Sequence, residues 1–233
     1  MSRLTANAEV ELPASRRVAY IIAATPVLGC VLLAALAVVQ GDVFDAIVRE
    51  DSVLQWGEVS AYGAAAAASA LVAHRTRGFV RFAYGLLAVA ALGAIGEELS
   101  WGQRIFHLTT PEPVAAANSQ RELNLHNLAS VESTTRLVLL AAATYGATVP
   151  LLRRPGAFVP PRALVPAFAV VAVYFGIRLA LLSQPTHAQA KFSEWPEFCF
   201  AAAVALTARS TLKLGEFSRA HGSRTRPRIR ASP

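Results

Sequence analysis

"GLLAVAALGAIGEELSWGQRIF", residues 85–106, decides the fold class. A run of apolar and small residues passes without a break into two adjacent acids, Glu97 and Glu98. Trp101, Gln103 and Arg104 follow at once. Extended back to Phe79, the run predicts a membrane span over 79–102, since a crossing helix needs about 20 apolar residues. Counted from Arg81, Glu97 stands sixteen residues on. At 1.5 Å per residue that is ~24 Å into a hydrocarbon core of ~30 Å. Both acids therefore sit just below one membrane surface, where an ionised carboxylate is costly unless it is paired or wet.

The same pattern recurs along the chain. Further spans are expected at 18–40, 55–74, 132–152, 162–183 and 195–212. The composition agrees: 54% of the 233 residues are hydrophobic and 16% are charged. Soluble domains carry about 25% charged residues. The weakest span contains "GAAAAASALVA", whose small side chains suit close packing between helices. The fold expected is an all-α polytopic membrane bundle of about six helices, with a short interfacial helix in the third loop. Residues 1–17 form an N-terminal segment, 18–212 the membrane domain, and 213–233 a basic, disordered tail.

Charge orients the bundle. Arg16 and Arg17, then Arg75, Arg77 and Arg81, then Arg153, Arg154 and Arg162, then the basic tail all fall on one side of six spans. Positive residues mark the cytoplasmic side, so both termini are expected there, in the inner membrane of a bacterium. The net charge of +7 is spent on topology rather than on nucleic acid. The acids take the other side: Asp42, Asp45, Glu50, Asp51, Glu58, Glu97, Glu98, Glu112, Glu122, Glu132, Glu194 and Glu197. Cys30 and Cys199 lie within apolar spans and read as core residues.

The outer side therefore holds the candidate chemistry. Glu97, Glu98, His126 and Glu197 are the expected catalytic group. Trp101, Gln103, Arg104, Asn124, Asn127 and Arg178 are expected to bind substrate, with the planar fork of Arg104 suited to a phosphate or carboxylate. Carboxylate with imidazole is a ligand set for a divalent metal such as Zn²⁺ or Mn²⁺, and Glu98, His126 and Glu194 are the candidates. No H-E-x-x-H or C-x-x-C spacing supports that choice. Plainer roles compete: Asn127 as a helix cap, Glu132 paired with Arg136, and Glu194 and Glu197 placed for a helix dipole.

The run Glu97-Glu98-x-Ser100-Trp101-Gly102-Gln103-Arg104-x-Phe106, then Thr110-Pro111, then Asn124-Leu125-His126-Asn127 resembles a motif of a group of uncharacterised multi-pass bacterial membrane proteins. The resemblance covers about 35 residues. It implies that the motif residues form one unit, and it brings no activity with it. The intramembrane CAAX-protease-like family is more distant. Its signature sets three residues between Glu-Glu and Arg, whereas five separate Glu98 from Arg104 here. The function expected is an enzyme working on a lipid or lipid-linked substrate at the extracytoplasmic face. The alternatives are a small-molecule or proton-coupled transporter, or an accessory subunit without catalysis. Substrate and oligomeric state are left open by the sequence.

Overall fold

The computed structural model describes residues 16–118, 121–125, 128–181 and 185–222. The chain is all-helical, with no strand among the described residues. The long helices are α1 (Arg16–Val39), α3 (Val53–Arg75), α4 (Gly78–Glu98), α7 (Ala129–Leu152), α8 (Val165–Leu181) and α10 (Glu194–Gly222). Short helices fill the connections: α2 (Gly41–Val48), α5 (Gln103–Phe106), α6 (Glu112–Ala117) and α9 (His187–Lys191).

Five segments are long and apolar enough to cross a membrane: Arg17–Val39, Gly78–Glu98, Val131–Leu152, Arg162–Leu181 and His187–Glu216. Their outward faces carry the large apolar side chains. On α4, Phe79, Phe82, Leu86 and Val89 recur at helical spacing and are all exposed. Soluble proteins rarely leave such stripes in water, whereas a bilayer is their natural solvent. The protein is a multi-pass membrane helix bundle.

The remaining long helix, α3, has 23 residues but falls short of the others in apolarity. It lies between α4 and α10 and packs along both. Small residues make this possible. Ala65, Ala66 and Ser69 of α3 are buried, with Ala91 of α4 and Val204 and Ala205 of α10 packed at the same seam. The other half of the core joins α7, α8, α10 and the long apolar α1. Phe168, Val171, Phe175 and Cys199 fill it. Cys199 is thus a core residue, and both cysteines are free.

Three boundaries depart from expectation. The third span stops at Glu98 rather than 102, because Ser100, Trp101 and Gly102 all take left-handed backbone. The loop helix covers only Glu112–Ala117, led by Pro111 and Pro113, whose fixed φ suits a first turn. The last helix runs on to Gly222, so residues 213–222 are helical, and Arg75 pairs with Glu216 at 2.5 Å. Residues 223–233 lie outside the described structure.

Candidate functional site

The motif after α4 folds into a compact knot. Leu99 closes the helix with φ −92° and ψ 11°, and the chain then turns left-handed through Ser100 (φ 47°), Trp101 (φ 53°) and Gly102 (φ 84°). Only Gly102 does so without steric cost. The reversal throws the indole of Trp101 back onto α4, where it lies against Gly96. A Cβ on that glycine would meet the ring at 2.8 Å. The indole Nε1–H donates to Glu97 Oε1 at 2.8 Å, and the backbone N–H of Leu125 donates to Glu97 Oε2 at 2.6 Å. Arg104 therefore does not follow Glu97 along one helix face. Its side chain lies outside the described structure.

The rest of the loop closes on itself. Ser100, buried, donates to Glu122. Asn124, also buried, donates to Ser100 Oγ at 3.3 Å and to Glu122 Oε2 at 3.2 Å. Asn118 holds Asn124 through both its backbone and side-chain oxygens, at 2.7 and 2.8 Å. Gln103 uses both ends of its amide: it donates to Thr110 and accepts from the N–H of Leu123 at 2.7 Å. Gln103 and Asn124, expected to touch substrate, thus brace the loop. His126 and Asn127 lie outside the described residues. The helix that follows has Leu128 at its cap position, with no side-chain cap bond.

A second constellation lies at the same end of the bundle. Glu58 sits five residues into α3, ~7–8 Å along the axis. Glu194 and Glu197 occupy the first turn of α10. One carboxylate oxygen from each of the three lies within 4.8 Å of the other two. Glu58 is 1% exposed, and among the described residues its Oε2 has no hydrogen-bond partner. Glu98, the last residue of α4, lies within Coulombic range of all three. Gln55, one turn before Glu58, ties α3 to α4 by donating to the backbone oxygen of Glu98 at 3.1 Å and to its Oε2 at 3.5 Å.

Positive groups border the cluster. Lys191 lies 3.6 Å from Glu194 and 3.9 Å from Glu50. Arg136, in the second turn of α7, pairs with Glu132 and is within Coulombic range of Glu197. Arg178 closes α8, is 6% exposed and leaves Nη1 without a partner among the described residues. Tyr174 lies within range of Arg178, Glu197 and Arg136 at once, and its hydroxyl donates to the backbone oxygen of Gln189 at 2.8 Å.

The structure thus brings Glu98, Glu194 and Glu197 together with Glu58, while Arg178 lies within range of Tyr174 at the same end of the bundle. Glu97, Trp101, Gln103 and Asn124 belong instead to the adjoining knot. No histidine joins the carboxylates among the described residues. His107 caps α5 in the left-handed region and is exposed, and His187 faces Asp45 at 3.5 Å on the surface. Glu58 carries no motif, and its one signal is an acid one turn inside a helix of small apolar residues. Three carboxylates so close repel, and protons or a cation must compensate them. The set therefore has the makings of a cation site or a proton-handling site. Comparison of the chain with known protein families, with curated proteins and with solved structures gives no match. What the fold and site define is a class: a multi-pass membrane helix bundle with a partly buried carboxylate cluster near one end.

Proposed function

We propose that the protein is an inner-membrane enzyme acting on a lipid or lipid-linked substrate at the extracytoplasmic end of the bundle. The observation that carries this reading is the convergence of Glu58, Glu194 and Glu197 from two helices, with a nearly unexposed acid at its centre. Buried ionisable groups in membrane helices are expensive and are retained for function. The cluster lies about one helical turn below the helix ends, the depth at which lipid headgroups meet the bundle. In this reading Glu197 and Glu98 move protons and Arg178 holds an anionic headgroup. The topology rests on the arginine bias, which puts both termini in the cytoplasm. The reading is tested by comparing lipid extracts from a deletion strain complemented with wild type or with Glu197→Gln. A lipid species that accumulates in the deletion and clears only with wild type is expected. Identical lipid profiles in all strains refute it.

A proton-coupled carrier is the second reading, favoured by the buried Glu58 within a membrane-length helix. Carriers usually place such groups at broken helices near the midplane, whereas this cluster sits in the opening turns of α3 and α10, each unbroken from there on. Proton flux into proteoliposomes, abolished by Glu58→Gln, would favour it.

A further inference from the structure

We infer that Glu58, Glu194 and Glu197 together bind one hard divalent cation of the Mg²⁺, Mn²⁺ or Ca²⁺ class. The inference uses the same carboxylates as the proposed enzyme but stands apart from any reaction. Two independent observations support it. The first is spacing: three oxygens within 4.8 Å of one another match oxygens sharing one ion at about 2.0–2.6 Å each. The second is the orphaned Oε2 of Glu58, on a side chain 1% exposed. A buried acceptor with no donor is rare and costly, and it asks for a ligand.

Charge balance points the same way. Glu50, Glu58, Glu98, Glu132, Glu194 and Glu197 share this end of the bundle with Lys191, Arg136 and Arg178. Among these named groups acids outnumber bases by six to three. A divalent ion cancels most of the excess in one step.

Ligand chemistry selects the ion class. All three donors are carboxylate oxygens, and neither imidazole nor thiolate joins them among the described residues. Oxygen-only sets favour Mg²⁺, Mn²⁺ and Ca²⁺, whereas Zn²⁺ and copper prefer nitrogen and sulfur. Three protein ligands leave coordination positions for water or for a substrate oxygen. The metal set expected from the sequence, Glu98, His126 and Glu194, shares Glu194 with this one, and His126 lies outside the described residues. Glu98 remains beside the ion, held by Gln55.

The test is Mn²⁺ titration of the purified full chain in lipid nanodiscs, followed by the loss of the free-ion paramagnetic resonance signal. Wild type is expected to bind one Mn²⁺ saturably, with Mg²⁺ or Ca²⁺ competing. Glu58→Gln and Glu197→Gln should each weaken binding about 10-fold or more, since even residues behind a ligand are worth that much. Glu112→Gln, on the exposed loop helix, should leave it unchanged. If Glu58→Gln aggregates, Glu194→Gln, at a partly exposed position, replaces it. Absence of saturable binding overturns the inference. So does binding that Glu58→Gln (or Glu194→Gln in its place) and Glu197→Gln both leave intact, and so does equal weakening by Glu112→Gln. Saturable binding alongside unchanged lipids leaves the cation site standing and removes the enzyme reading. Altered lipids without Mn²⁺ binding do the reverse.

Discussion

The indole N–H of Trp101 reaches back 2.8 Å to Oε1 of Glu97, and this bond spans a turn whose backbone is left-handed at both Ser100 and Trp101. Left-handed conformations cost about 1–2 kcal/mol at each non-glycine residue. The knot of Ser100, Glu122, Asn124 and Gln103 offsets that cost by satisfying polar groups across twenty or more residues of sequence. Trp101→Phe keeps a ring against Gly96 and removes the bond. It should lower stability by about 1 kcal/mol and quicken proteolysis within 107–125, read by limited digestion in detergent.

Glycines at two helix crossings are expected to be intolerant. A Cβ on Gly146 would fall 2.4 Å from the Phe168 ring, and one on Gly29 would fall 2.0 Å from Trp195. Each alanine substitution should cost about 1–3 kcal/mol by overpacking, seen as a lower melting temperature. Gly63, with nothing within 4 Å, is the control: Gly63→Ala should be neutral or stabilising by up to about 1 kcal/mol.

The carboxylate cluster should show a crossing of stabilities. Without divalent ions, Glu58→Gln should be the more stable protein by about 1–3 kcal/mol, because it removes a buried acid whose ionisation is opposed by burial and by the neighbouring carboxylates. With Mg²⁺ at 100 times its dissociation constant, wild type should gain about 2.7 kcal/mol and the variant little. Thermal unfolding in chelator and in excess Mg²⁺ reads both.

The opposite end of the bundle carries a pair of little consequence. Arg75 and Glu216 meet at 2.5 Å, but their side chains are 38% and 58% exposed. Glu216→Gln should change stability by less than about 1 kcal/mol, and less still in high salt, as denaturation in low and high salt will show.

Orientation is checked by reporter fusions. Fusions after Thr76 and after Gly156 should report the cytoplasm, and fusions after Pro111 and after Thr186 the outside. The reverse pattern would move the carboxylate cluster to the inner face.

Much of the architecture is legible in the apolar runs, since each long helix starts within a few residues of an expected span, and α10 alone runs well past its expected end. What the runs conceal is backbone handedness. Nothing at Ser100 or Trp101 announces a positive φ, so the third span reads as continuing to 102. The motif's Gln103 and Asn124 look like ligand residues because they are polar and close to a membrane surface, yet their partners lie across the loop. Glu58 is hidden for the opposite reason. It belongs to no motif, and only the tertiary approach of α3 to α10 reveals its neighbours, which are more than 130 residues away.

The sandwiched α3 also constrains how the protein is made. Its poor apolarity gives the insertion machinery a weak signal, and one of the two helices that shelter it is α10, far downstream in the chain. α3 must therefore wait, partly unsheltered, until α10 has been made. Chains that stop short of α10 leave its alanine face bare, and such nascent products are natural prey for membrane quality-control proteases.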